Sequence, residues 1–329
     1  MATERRQIIR LLSSICVLWP LLAESQERAR PVIGFLNSAS ARAWAPFVAA
    51  FERGLNSSGY TNGENLTIEF RWAEGHNERL PMLASELIAS GVAVLVVSGG
   101  TPPVLAARAA TTATPILFMT GDDPVEVGFV NTLDRPGRNM TGVTIFRVAL
   151  GAEPVTLLRE LVGNKGPMGV LVSPINPGSE THAKNIEQAA RAIRQELVVV
   201  RASAADELDG AFADLSRQGI ASLIVTASPF FISQRDRLVA LAARHALPAI
   251  YPVRGFVDAG GLISYGADLV DAYRELGLQT ARILQGANPA ELPVVQSAKF
   301  ELAVNRKTAN VLGLDPSPAL LARATAVIE

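Results

Sequence analysis

The sequence predicts an α/β protein built as two Rossmann-like lobes with parallel sheets, joined by a multi-strand hinge. Three observations carry this prediction. From Pro31 onward, short apolar runs alternate with amphipathic stretches of helical period, the order that builds βα units and parallel sheets. The series occurs twice in succession. The 329 residues also exceed one ordinary core but suit two, at roughly 100–200 residues per domain.

In the first series the apolar runs predict strands over 32–37, 66–71, 93–98, 115–120 and 141–145, with helices near 42–58, 77–90 and 102–112. The second series predicts helices over 152–162, 177–195, 206–218 and 232–246, and strands over 167–173, 197–201, 221–226 and 248–252. A strand over 261–265, a long helix near 268–286 and an extended segment 299–304 follow, returning the chain between lobes. The expected division is 31–145 plus about 266–297 for the first lobe, and 146–265 plus about 298–329 for the second. A local echo supports duplication: Ala106-Ala107-Arg108 precedes the run 115–118 much as Ala242-Ala243-Arg244 precedes 248–251. Alanine-rich helices leading into proline-started strands also arise independently. Several crossovers between lobes limit twisting while allowing closure.

Residues 1–25 read separately, as a signal peptide. Arg5, Arg6 and Arg10 precede an apolar stretch from Leu11 to Ala23 and then Ala23-Glu24-Ser25, the layout of a cleaved secretory signal. The stretch is interrupted by Pro20 and falls short of the ~20 residues that span a bilayer. Arg5-Arg6 fits both a Sec and a twin-arginine signal. The expected location is periplasmic. Cleavage would remove three arginines and two glutamates, moving the net charge from −1 to −2.

Composition excludes several classes. With 49 % hydrophobic and 19 % charged residues of balanced sign, the chain is an ordinary globular protein, and no broad basic surface exists for nucleic acid. The single cysteine, Cys16, lies in the signal, which leaves the mature chain without disulfides, thiolate metal sites or cysteine nucleophiles. No GxGxxG, GxxxxGK[ST], GxSxG or HExxH occurs, and His76, His182 and His245 stand far apart. The chain is therefore expected to be no enzyme and to need no cofactor or metal.

Ligands of open α/β sheets lie beyond the carboxyl ends of the strands, so the candidate site residues are at strand ends. Ser98-Gly99-Gly100-Thr101-Pro102-Pro103 joins a valine-rich strand to a helix, with Thr101 as the expected cap and proline at the first helical position. Two readings stand: an anion cradle, since glycines let a ligand approach the free amides of a helix start, or a plain strand-to-helix connection. Gly121-Asp122-Asp123-Pro124 follows another strand. Asp123 could hold an ammonium group, or cap its own turn. Asn37-Ser38, Asn176, Phe230 and Tyr251 occupy further strand ends and supply small polar groups and aromatic plates, the usual make-up of a small-ligand pocket.

The chain resembles the periplasmic ABC-transporter substrate-binding proteins of the tryptophan/tyrosine type. The resemblance lies in PVIGFLNSAS (31–40), FERGLNSSGYTNGENLTIEFRWAEG (51–75), GGTPPVLAARAATTATPILF (99–118), RPGRNMTGVT (135–144) and LVALAARHALPAIY (238–251), and spans nearly the whole mature chain. It implies a type I periplasmic-binding fold that closes on a small organic ligand, an amino acid or aromatic compound, as a monomer that delivers it to an ABC permease in the inner membrane. It also implies ligand contact at Asn37, Ser38, Ser98, Gly99, Gly100, Thr101 and Asp123 in the first lobe, and at Asn176, Phe230 and Tyr251 in the second. Two departures bear on the ligand: Asp122 stands where the family commonly has glycine, and Ser173-Pro174 where it commonly begins a turn with Asn-Pro. The rivals are a LacI-like ligand-sensing core, which would need a DNA-binding headpiece that residues 1–30 are too short to form, and an exported α/β enzyme.

Overall fold

The structure is a computed structural model that describes residues 30–145, 151–175 and 178–329. The signal segment and Asn176 lie outside the described residues.

The first series folds as β1 (Val32–Asn37), α1 (Ala41–Asn56), β2 (Thr67–Trp72), α2 (Leu80–Ala89), β3 (Val94–Ser98), α3 (Thr101–Ala110), β4 (Ile116–Thr120) and β5 (Met140–Thr144). The second begins with α4 (Glu153–Val162), β6 (Met168–Val172), α5 (Gly178–Ala192), β7 (Leu197–Arg201), α6 (Glu207–Arg217) and β8 (Ser222–Val225). It continues through α7 (Pro229–Ser233), α8 (Arg235–Arg244), β9 (Ala249–Tyr251), α9 (Gly255–Asp258) and β10 (Ile263–Ala267). The chain then runs through α10 (Leu269–Leu284), β11 (Val295–Gln296), β12 (Phe300–Asn305), α11 (Arg306–Val311), α12 (Pro318–Arg323) and β13 (Ala326–Ile328).

Two sheets result, in the orders β11-β5-β4-β3-β1-β2 and β13-β12-β10-β9-β8-β6-β7. Every pairing is parallel except the antiparallel β10–β12 pair. The central orders β2-β1-β3-β4-β5 and β7-β6-β8-β9-β10 are the same doubly wound topology, so the strands echoed in the sequence, β4 and β9, are counterparts in the two lobes. This topology places a crevice at the carboxyl ends of the strands where the order reverses.

Both faces of each sheet are covered, which the near-continuous apolar strands require. In the first lobe Phe35 and Val96 point to one side, with Phe51 and Tyr273, while Leu36 and Val97 point to the other, with Leu83 and Val104. Two clusters cover the second sheet in the same way. Each fully buried side chain of this kind contributes roughly 1.5–3 kcal/mol relative to exposure.

The chain passes from one sheet to the other after β5, after β10 and between β11 and β12. The second passage sends α10 back onto the first lobe, where it packs against α1. Gly54 and Gly277 form the crossing point: a Cβ on Gly54 would collide with the Arg274 carbonyl, and one on Gly277 with the Phe51 carbonyl. The third passage is tied down by Lys299, whose ammonium lies 2.7 Å from Asp271 and holds that carboxyl below its ordinary range.

Three details differ from expectation. The helix expected over 232–246 is two, α7 and α8, broken at Gln234; Pro229 starts the first of them three residues early. The strand expected over 261–265 runs Ile263–Ala267. Two-, three- and four-residue elements at β11, β13 and α9 are too short to show a period.

Candidate functional site

The turn after β3 is built from the sequence GG and held from behind. Gly99 and Gly100 have φ of 91° and 96°, a region that residues with a Cβ rarely enter. A Cβ on Gly99 would lie 2.6 Å from Ser38 Oγ and 2.8 Å from Asn37 Oδ1. Asn37 and Ser38, at the end of the neighbouring β1, brace this turn. Asn37 Nδ2 donates to Ser98 Oγ at 2.7 Å, Ser38 Oγ donates to the Gly99 carbonyl at 2.6 Å, and Asn37 Oδ1 accepts from the Ala39 amide at 2.7 Å. Asn37 and Ser98 are fully buried.

Thr101 is not the helix cap. Gly100 takes that position, and Thr101 is the first helical residue, with its hydroxyl donating sideways to Asp122 Oδ2. The other carboxylate oxygen of Asp122 faces Gly178, the first residue of α5 in the opposite lobe, so closely that a Cβ there would force the carboxylate to move. The neighbouring Asp123 serves its own turn: Oδ1 accepts from the Val125 amide at 2.8 Å and the Glu126 amide at 3.3 Å.

Between the lobes lies a cavity of ≈ 100 Å³, well above the ~10–15 Å³ that one water needs. The first lobe contributes Trp44, Gly99, Gly100, Thr120 and Tyr273 to its wall, and the second Thr226, Ser228, Ile232, Tyr251 and Tyr265. These sit at or just beyond the carboxyl ends of β3, β4, β8 and β9, in the middle of β10, or on the helices that flank them. Tyr251 is buried and stacked on Phe256, with ring centroids 4.7 Å apart, and burial pushes its phenol up. The Tyr265 phenol is raised too, first by burial and then by the negative field of Glu153. An adjoining groove is lined by Ser38, His76, Ser203 and Phe230, and shares Gly99, Ser228 and Pro229 with the cavity.

Of the candidate residues, Gly99, Gly100 and Tyr251 thus line the cavity, and Ser38 and Phe230 line the groove. Asn37, Ser98 and Thr101 stand behind the wall, and Asp123 faces its own turn. Among the described residues no group of His, Cys, Asp and Glu is placed to hold a metal ion.

Sequence reasoning missed Trp44 and Tyr273. Trp44 Nε1 donates to the Tyr273 hydroxyl at 2.6 Å. Burial pushes the Tyr273 phenol up to about 12, against the opposing pull of its bonds to Ser98 and Trp44. Trp44 comes from α1 and Tyr273 from α10, so this pair links the glycine turn to the α1–α10 packing. Tyr273→Phe leaves the buried indole N–H without an acceptor and should lower unfolding stability by about 1–3 kcal/mol. Urea titration followed by tryptophan fluorescence reads this; an unchanged midpoint would mean that the bond contributes nothing net.

The chain matches the family model "ABC transporter substrate binding protein" over residues 33–328. It is 25% identical over 264 residues to a curated tyrosine-binding protein of Clostridioides difficile (strain R20291), covering 80% of this chain and 75% of that one. The crystal structure of an ABC domain from Streptococcus pneumonia in complex with L-Trp superimposes with a TM-score of 0.82 at 23% identity, covering 91% of this chain and 100% of that one. A ligand-free, open substrate-binding protein with adhesive properties from Clostridium difficile gives 0.65 at 23% identity, covering 91% and 99%. The two-lobe architecture is the type I periplasmic-binding fold of these structures.

Proposed function

The chain belongs to the family of ABC transporter substrate-binding proteins, and from that premise we propose that it captures an aromatic solute, an amino acid or related compound, by closing its two lobes and passes it to an ABC permease for import. The observation that carries this reading is the cavity between the lobes, walled on one side by Trp44 and Tyr273 and on the other by Tyr251 and Tyr265. Aromatic plates of this kind bury large apolar areas and favour offset or edge-on contact with a second ring. The tyrosine and tryptophan in the descriptions of two similar proteins point the same way.

Closure is supported by contacts that reach across the lobes. Asp122 meets the start of α5, and α7 of the second lobe touches α1 of the first, with Ile232 packed against the first lobe's core. A solute held here makes contacts with both lobes at once, and such differential contact is what shifts an open–closed equilibrium. Among the described residues no helix is long and apolar enough to cross a membrane. On this reading the protein works in the periplasm as a monomer after cleavage of residues 1–25, carries out no chemistry and binds no nucleic acid.

Thermal-shift screening of the purified mature chain against aromatic metabolites tests the proposal. A solute at a hundred times its Kd stabilises the native state by about 2.7 kcal/mol, a Tm rise of roughly 4 °C for a chain of this size. X-ray scattering with that solute should show a smaller radius of gyration than without it. A panel in which no compound raises Tm, or turnover of a bound compound, would defeat the reading.

A further inference from the structure

Resting on the solute-binding reading above, we propose that the cavity selects an aromatic carboxylate that carries no ammonium group, the desamino counterpart of an aromatic amino acid. Three sets of observations converge on this class.

The first is the place for a carboxylate. The glycine turn precedes α3, a helix of ten residues, and Pro102 and Pro103 carry no N–H, so the donors of this helix start are the amides of Gly99, Gly100 and Thr101. Gly99 and Gly100 line the cavity, and a helix start favours negative charge. On the facing lobe Ser228 also lines the cavity; its hydroxyl is buried, with 2% of the residue exposed, and has no hydrogen-bond partner among the described residues. A buried hydroxyl left without a partner is costly, and a ligand oxygen held between Ser228 and the glycine amides would satisfy it on closure.

The second is the lack of a place for an ammonium. Among the described residues no Asp or Glu lines the cavity, and the two internal segments outside them, 146–150 and 176–177, contain neither residue type. The nearby carboxylates are engaged elsewhere. Asp122 holds Thr101 and faces Gly178, Asp123 caps its own turn, and Glu153, whose field reaches Tyr265, is exposed to solvent. An ammonium closed into this space would give up its water without gaining a counter-charge, which disfavours the zwitterion relative to the simple anion.

The third is the remainder of the wall. Trp44, Tyr251, Tyr265 and Tyr273, with Ile186 and Ile250, form an aromatic and aliphatic enclosure for a ring.

Isothermal titration of the mature full-length chain with matched pairs decides the matter: 3-(4-hydroxyphenyl)propanoate against L-tyrosine, and indole-3-propanoate against L-tryptophan. Each propanoate should bind at least tenfold more tightly than its amino acid. Ser228→Ala should weaken propanoate binding roughly three- to tenfold with the ligand-free Tm unchanged or raised. Equal or tighter binding of the amino acids would overturn the inference while leaving solute capture intact. Binding of neither member of a pair, with a non-aromatic solute bound instead, would overturn it too. If no compound of a broad panel binds, solute capture itself falls. Unchanged propanoate affinity in Ser228→Ala would remove the carboxylate seat assigned here.

Discussion

Gly99→Ala should cost about 2–5 kcal/mol of folding stability, the sum of a left-handed backbone penalty of about 1–2 kcal/mol and an overpacking penalty of about 1–3 kcal/mol. The backbone penalty follows from φ of 91°. The overpacking follows from the Ser38 hydroxyl, the Asn37 amide oxygen and the Ser38 backbone nitrogen, all within 2.8 Å of where the new Cβ would stand. The natural control is Gly91→Ala, where φ is also positive, at 77°, but no atom lies within 4 Å of the added carbon. Gly91→Ala should show the backbone penalty alone. The two urea unfolding midpoints, measured side by side, separate the terms; equal losses would show that the Asn37–Ser38 brace simply gives way. Any Gly99→Ala protein that folds should also bind solute weakly, because the glycine turn that forms part of the cavity wall has been displaced.

Gly178→Ala should behave in the opposite way, losing binding while keeping its fold. The added methyl would collide with the carboxylate of Asp122, but only while the lobes are together, since Asp122 follows β4 in the first lobe and Gly178 starts α5 in the second. In the separated form alanine suits a helix better than glycine, by about 0.5–1 kcal/mol. The ligand-free Tm should therefore hold or rise. The closed state should suffer the overpacking cost of about 1–3 kcal/mol, which lowers affinity by roughly 5- to 150-fold. Asp122→Gly in the same chain removes the obstructing oxygen and should restore most of the affinity. Titration calorimetry on the two single variants and the double variant closes the cycle; additive losses would show that the two residues do not meet in the bound form.

How far the sequence could be read depended on the length of each signal. The runs at β1 and β7 were bounded to the residue, because a run of apolar residues between polar or turn residues leaves little choice. The expected helix over 232–246 broke at Gln234 because Pro229 fits a helix start and recruits the preceding residues into a turn of their own. At the site, strand ends pointed to Gly99, Gly100 and Tyr251, which do line the cavity. The flanking helices gave no such pointer. Trp44 on α1 and Tyr273 on α10 carry the periodicity of core residues, and only the folded chain brings their rings to the cavity from positions 229 residues apart. Local pattern was equally silent on the aspartate pair. Either carboxylate could cap the turn, and the choice fell to Asp123 while Asp122 turned toward Thr101 and the far lobe.

The seam at Gly54 and Gly277 sets the order in which the molecule can be assembled. A nascent chain that has reached residue 145 has made β1 to β5, yet the α1 face that carries Phe51 and Gly54 has nothing to lie against until Leu269–Leu284 emerges. The first lobe is thus the first begun and among the last finished, with residues 151–267 interposed as a passenger. No single scission can release the two halves as independent pieces, and contacts so distant along the chain predict slow, late folding.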